Sequence, residues 1–230
     1  GESTLETKVK DILQKQDNPT MALLAGRGEV KIRITAKGDS KEKTNDLIEK
    51  KEAQIREKVG KFIYGTDSTD LSETVGKELT KKGFTVGLAE SCTGGLVGHR
   101  ITSIPGSSTY FKGSMVVYSN QAKVEQLGVD ADIIEEDGAV SRSTASAMAE
   151  SVREKLKTDI GLSLTGIAGP GGGTEEKPVG LVYIGLANGK KTKTFKLNLK
   201  GEREFNKWMS SQYGLYYLLK MIKNEEGVNK

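Results

Sequence analysis

The chain has 230 residues, 35% of them hydrophobic and 29% charged, and its 35 basic and 31 acidic side chains leave a net charge of +4. That balance suits a globular chain of one large domain or two modest ones, and so mild a charge does not by itself call for a nucleic-acid partner. With Cys92 the only cysteine and His99 the only histidine, an intramolecular disulfide, a cysteine zinc cluster and a His-rich metal site are excluded, and a reducing, cytoplasmic setting is the simplest reading.

The polar, helix-like start GESTLETKVKD predicts no signal peptide, and no run of about 18 apolar residues is present to span a bilayer. Leu5, Val9, Ile12 and Leu13 fall at helical spacing and predict an amphipathic helix over 3–16. Asn18-Pro19 ends it, because proline lacks a donor and restricts its predecessor. MALLAG and EVKIRITAK, joined by Gly26-Arg27-Gly28, read as a β-hairpin with Val30, Ile32 and Ile34 on one face. A charged helix over 40–59 follows, with Leu47, Ile48, Ile55 and Val59 on its buried side, and KFIYG reads as a closing strand. This small α+β block, residues 1–66, meets the rest of the chain at the polar joint TDSTD.

Ser68 or Thr69 is placed to cap the next helix, where Leu71, Val75 and Leu79 repeat every fourth residue. Strands then alternate with helices. Strand 85–90 precedes helix 93–103, and strand 113–119 precedes two short helices over 120–136. Helix 141–157 leads to a strand from Asp159, strands follow near 180–187 and 191–199, and a last helix covers 202–222. Such alternation predicts a three-layer α/β/α domain over 67–230.

Three segments carry chemistry. In LAESCTGG a strand ends at Glu90 and a helix is expected from Thr93, which puts Ser91 and Cys92 at a helix N-terminus beyond the carboxyl end of a strand. Free N–H groups and the dipole there favour developing negative charge, so the place suits a nucleophile and an oxyanion site. Capping is the commoner role for such residues, and local physics does not choose between the serine and the cysteine. His99 lies eight residues along the same helix, about 12 Å away at 1.5 Å per residue, so a Ser–His–Asp triad is not expected. Lysine is the remaining usual base.

In VVYSNQAK, Tyr118 ends a strand and Lys123 starts a helix at the same sheet edge as Ser91. In SLTGIAGPGGGTEEKPVG, a strand runs into a glycine-rich turn that lacks the G-K-[ST] of a P-loop. Arg203, before the last helix, has the fork that suits a phosphate, and an exposed helix-start arginine is the equal alternative.

Taken together and in order, six motifs are recognisable: Ala89-Glu90-Ser91-Cys92-Thr93-Gly94-Gly95, Gly106-Ser107-Ser108 with Tyr110-Phe111, Tyr118-Ser119-Asn120 with Lys123, Gly138-Ala139-Val140-Ser141, Thr165-Gly166-Ile167-Ala168-Gly169-Pro170, and Lys177-Pro178-Val179-Gly180. Residues 69–225 thereby resemble the nicotinamide mononucleotide deamidase domain of the CinA (competence/damage-inducible) family. The first block resembles that family's small KH-type domain, on Gly1-Glu2-Ser3, Asn18-Pro19-Thr20, Gly28-Glu29-Val30 and Ile63-Tyr64-Gly65. The molybdopterin-binding-like domain of longer members is not expected here, nor is the pyrophosphatase activity associated with it.

The resemblance implies that Ser91 attacks the carboxamide carbon while Lys123, helped by Tyr118, relays its proton. It further implies that Thr93, Gly94, Ser107, Ser108, Thr165, Gly166 and Gly169 line the substrate site and that Arg203 holds the phosphate. Nicotinamide mononucleotide is the implied substrate, with no metal or organic cofactor and a homodimer as the assembly. A competence-linked nucleic-acid-binding or scaffold protein is the rival reading. The first block has no GxxG loop to clamp a nucleic-acid backbone, so nucleic acid is not an expected partner and an interaction role is.

Overall fold

The computed structural model describes residues 2–223, and the chain divides into two compact units, Gly1–Ser68 and Thr69–Lys230. In the first, helix α1 (Glu2–Gln14), strands β1 (Thr20–Ala25) and β2 (Val30–Thr35) and helix α2 (Lys41–Val59) enclose a small core. Val9, Ile12, Met21, Ile55 and Val59 are its buried members. The antiparallel register sets Met21 opposite Ile34 and Leu23 opposite Ile32, so the apolar alternation seen in the sequence becomes one face against the helices. Ser40 caps α2, its hydroxyl accepting from the Lys43 N–H at 3.2 Å.

The closing strand expected at KFIYG does not form. Its first residues make a 3₁₀ turn, Gly60–Phe62, closed by the Ile63 N–H on the Gly60 carbonyl. That turn bends the backbone out of the extended form a strand needs. Ile63 packs on the core and the Tyr64 phenol bonds Glu29. The unit's sheet therefore has two strands.

The second unit is a three-layer α/β/α sandwich. Helix α3 (Leu71–Lys82) is capped by Asp70 rather than by the expected Ser68 or Thr69, through the Ser72 N–H at 2.7 Å. Then follow β3 (Val86–Glu90), α4 (Leu96–Thr102), β4 (Phe111–Val116), the single turn α5 (Asn120–Ala122) with a π-helical turn at Lys123–Leu127, α6 (Ala131–Asp137), α7 (Arg142–Lys155), β5 (Ile160–Gly166), β6 (Leu181–Ala187), β7 (Thr192–Asn198) and α8 (Arg203–Ile222). The sheet order is β4-β3-β5-β6-β7. β4, β3 and β5 are parallel, whereas β5-β6-β7 run antiparallel. The chain steps from β3 to one side and returns across it to β5, so the carboxyl ends of these three strands form the crevice where α/β sheets bind ligands.

Alternation along β5 decides which helix lies on which face. Ser163 and Thr165 point toward α7 and its preceding turn, where they donate to the Ala145 and Ala139 carbonyls. Leu162 and Leu164 point to the other face, beside Gly214 of α8. α7 lies very close to the sheet. A Cβ on Gly161 would meet the Ala149 carbonyl oxygen at 2.0 Å, and one on Gly185 would meet that of Ala145 at 2.2 Å. Both contacts are with backbone, which cannot rotate away. Gly161→Ala is accordingly expected to lower stability by about 2–3 kcal/mol, read as a fall in the urea midpoint at unchanged slope. An unaltered midpoint would mean that α7 has room to lift.

Candidate active site

β3 is buried along its whole length and ends in Glu90, a carboxylate with no exposed surface. Gly94 and Gly95, at φ 63° and 93°, have left-handed backbone that only glycine adopts freely. The expected helix over 93–103 therefore begins late, at Leu96, and residues 91–95 form a turn instead. The Gly94 N–H donates to the Ser91 carbonyl at 3.0 Å and closes that turn.

Glu90 fills the position of a helix cap. α4 has no side-chain cap at Gly95; instead, one Glu90 oxygen accepts from the Gly95 N–H at 3.0 Å, the Val97 N–H at 3.1 Å and the Thr93 hydroxyl at 2.8 Å. The other accepts from the Gly98 N–H at 2.8 Å and the Ser114 hydroxyl at 3.0 Å. The helix N-terminus is thus already neutralised by a fixed anion, and its dipole is not available to Ser91. Nothing in sequence reasoning singled out Glu90, although a carboxylate closing an apolar strand and followed by Gly94, Gly95 and Gly98 is a readable signal.

Lys123 reaches the same place from the next strand-to-helix connection. It is 1% exposed, and its Nζ lies 3.1 Å from Ser91 Oγ. The Val117, Tyr118 and Ser119 carbonyls surround that nitrogen at 3.1, 3.2 and 3.5 Å. Burial holds its pKa below the ordinary lysine value of 10.5, because the charged form loses its water. A neutral amine has two N–H groups and one lone pair. As an ammonium, Nζ donates to Ser91 Oγ and the carbonyls; once deprotonated it would give its N–H groups to two carbonyls and turn its lone pair to the Ser91 hydroxyl. His99 lies within α4 and plays no part in this arrangement.

Tyr118 joins this dyad to the rim. Its carbonyl bonds Lys123, while the residue is 59% exposed and its hydroxyl accepts from Arg203 at 3.0 Å. Arg203, at the first position of α8, also donates to the Gly169 carbonyl at 2.7 Å. Buried Asn206 fixes this corner by donating to the Ala168 and Gly201 carbonyls at 3.0 and 2.7 Å.

The other expected lining residues divide. Thr93 gives its hydroxyl to Glu90, and Gly94 spends its N–H on the turn. Thr165 is buried and bound to the Ala139 carbonyl at 2.6 Å, while Gly166 leaves room for β6, since a Cβ there would meet the Leu181 carbonyl at 2.7 Å. Ser107 and Ser108 belong to the 3₁₀ turn Ser107–Thr109 before β4. They lie at the amino end of the parallel strands, because α4 carries the chain back along the sheet. From Val86 to Glu90 alone is roughly 13 Å of strand, so one chain does not bring these two serines to Ser91.

Comparisons of three kinds place the chain among known proteins. The profile of the CinA C-terminal domain matches residues 68–222. The chain belongs to the CinA family. Residues 1–65 match the CinA KH domain of damage-inducible protein CinA. A Halothermothrix orenii protein named for competence-damage inducibility is 55% identical over 224 residues, 97% of this chain and 54% of the relative. A CinA-like protein of Dictyoglomus thermophilum is 51% identical over 203 residues, 88% of this chain and 49% of the relative. The chain thus spans about half the length of the curated CinA relatives it matches. Among solved structures, the competence/damage inducible protein CihA of Agrobacterium tumefaciens superposes with a TM-score of 0.65 at 33% identity, over 70% of this chain and 98% of that one. Among the described residues, no cluster of three or more His, Cys, Asp or Glu side chains could hold a metal, and no helix is long and apolar enough to cross a membrane.

Cys92, the neighbour of Ser91, is buried and its thiol is pushed up to about 12, first by loss of solvent and then by the Glu90 charge. At ordinary pH it carries no thiolate. Native protein at pH 8 is expected to react with iodoacetamide at least about 100-fold more slowly than the urea-unfolded chain, measured by mass spectrometry. Equal rates would place the thiol in solvent.

Proposed function

We propose that the Ser91–Lys123 pair is the core of a serine amidohydrolase that deamidates nicotinamide mononucleotide. The observation that carries this reading is the 3.1 Å approach of a buried lysine nitrogen to a serine hydroxyl at the carboxyl ends of parallel strands. The substrate follows from resemblance to the family's deamidase domain.

Neutral Lys123 removes the Ser91 hydroxyl proton as Oγ attacks the carboxamide carbon. The Gly94, Gly95, Val97 and Gly98 N–H groups are engaged elsewhere, so the backbone N–H groups of Cys92 and Thr93, at the inner positions of the turn, receive the developing oxyanion. The protonated lysine then gives its proton to the departing nitrogen, and ammonia leaves an acyl-serine. Lys123 next takes a proton from water, whose oxygen attacks the acyl carbon. Lys123 returns that proton to Ser91 Oγ as the acyl C–O bond breaks, which releases nicotinate mononucleotide and restores the free Ser91 hydroxyl and the neutral amine. Arg203 has N–H donors beyond the two bound to Gly169 and Tyr118, and these meet the phosphate as a fork.

Purified protein is expected to release ammonia from nicotinamide mononucleotide. Ser91→Ala and Lys123→Ala should each lower kcat at least about 1,000-fold, while Cys92→Ala stays within about threefold of wild type. Loss of turnover in Cys92→Ala alone would sink the serine mechanism. Arg203→Ala should raise KM about tenfold, and equal activity on free nicotinamide would show that the phosphate is not read.

The pH dependence has a definite sign. Below its pKa, Lys123 is protonated and lacks the lone pair that Ser91 needs, so kcat/KM rises with pH through a value lower than 10.5. Lys123→Arg, charged throughout, should be inactive across that range. A rate flat from about pH 6 to 10 would argue against a lysine base.

A further inference from the structure

We propose that Glu90 is a positioning residue for the nucleophile: its buried carboxylate holds the 91–95 turn, and its backbone carbonyl holds the strand end that carries the cage of Lys123. The inference rests on the reading of Ser91 and Lys123 as a reactive pair, and goes beyond it in naming what keeps them in register.

Glu90 reaches both halves of the pair. Through its side chain it takes the Thr93 hydroxyl and the Gly95, Val97 and Gly98 amides, which fixes the chain immediately after Ser91. Through its main-chain carbonyl it accepts the Val117 N–H at 2.9 Å, and the Val117 carbonyl in turn accepts from Lys123 Nζ at 3.1 Å. Ser91 itself is pinned from the other side, its N–H donating to the Leu164 carbonyl at 2.9 Å. One residue therefore stands between the serine and the lysine and is bonded to the support of each.

The chemistry of the five side-chain partners is one-sided. Three are amides and two are hydroxyls, all able to donate, so the site is built for an acceptor-only carboxylate. Glutamine has the same shape, but it turns an NH₂ toward N–H groups and leaves buried donors unmet. Aspartate keeps the charge and falls one methylene short. The close fit is visible at Gly98, where a Cβ would sit 3.4 Å from a Glu90 oxygen and 3.1 Å from Ser114 Cβ.

A cap that only stabilised α4 would change the melting temperature and leave the reactivity of the folded protein alone. A positioning residue changes the reaction itself. The test compares wild type with Glu90→Gln, Glu90→Asp and Ser114→Ala in two assays below their melting temperatures. One is steady-state ammonia release from nicotinamide mononucleotide. The other is the rate at which a fluorophosphonate labels Ser91, where Oγ bonds to phosphorus, fluoride leaves and the hydroxyl proton passes to Lys123.

Glu90→Gln is expected to lower kcat and the labelling rate together, about 100-fold, with KM within about threefold, as misplacing a nucleophile by about 1 Å would do. Glu90→Asp should restore about a tenth of the wild-type rate. Ser114→Ala removes one hydroxyl from Glu90 at a position 24 residues from it in sequence, and should slow both assays about tenfold. If Glu90→Gln fails to fold, Ser114→Ala decides. Wild-type labelling and turnover in folded Glu90→Gln, or in Ser114→Ala, would overturn the proposal, as would a rise in KM with kcat unchanged. Labelling without ammonia release in wild type would reject the substrate and leave Glu90 to be judged on labelling alone. Neither labelling nor turnover in wild type would reject both.

Discussion

A lysine amine sealed from water against a serine hydroxyl is the constraint around which this domain's carboxyl-edge connections are arranged. Removing an ammonium from solvent costs several kcal/mol even after relaxation, and Lys123 is 1% exposed. The fold meets that cost with carbonyls rather than with a counter-ion: Val117, Tyr118 and Ser119 turn their oxygens toward Nζ. Carbonyls satisfy N–H groups without placing a full negative charge beside the amine, so burial still lowers its proton affinity. The short α turn and π turn that contain Lys123 set the backbone for this, and π turns recur at functional sites for the same geometric freedom.

The second half of the site is built on a different economy of charge. α4 starts in two left-handed glycines and takes its cap from Glu90, at the end of the preceding strand. That carboxylate absorbs the helix dipole and orders the turn after Ser91, while burial first and the Glu90 charge second raise the Cys92 thiol beyond use. The serine and the cysteine, adjacent in sequence and alike in exposure, thus end in different chemical states. At the rim, Tyr118, Arg203 and Gly169 form a connected edge, with Asn206 beneath it.

Much of the architecture follows from local pattern. The apolar repeat of α3, the alternation of β2 and the strand–helix succession after residue 70 all appear in the elements found, because burial on one face imposes a period that the residues must obey. Misreadings fall where the backbone does something that composition does not announce. KFIYG is β-like in content, but its first residues curl into the 3₁₀ turn that starts at Gly60. The start of α4 moved to Leu96 because Gly94 and Gly95 adopt left-handed conformations, a choice that depends on Glu90 holding the amides beyond them.

The same division runs through the site. Ordered motifs mark out Ser91, Lys123 and Tyr118, the guanidinium fork before the last helix points to Arg203, and the distance of the lone His99 leaves lysine as the base. Such conclusions need only residue identity and order along the chain. Ser107 and Ser108 were selected in the same way, yet α4 carries them to the far end of the parallel strands. Thr165 reached the right edge and then faced α7's preceding turn, because strand alternation points it there. Glu90 has no role in the sequence pattern beyond ending a strand within the first motif, since a carboxylate there acquires meaning only when amides from the following turn and a hydroxyl from β4 meet it. Sequence by itself determined the family, the element order after residue 70 and the residue types at the candidate site; tertiary structure decided which of them touch, because orientation across a sheet depends on partners remote along the chain.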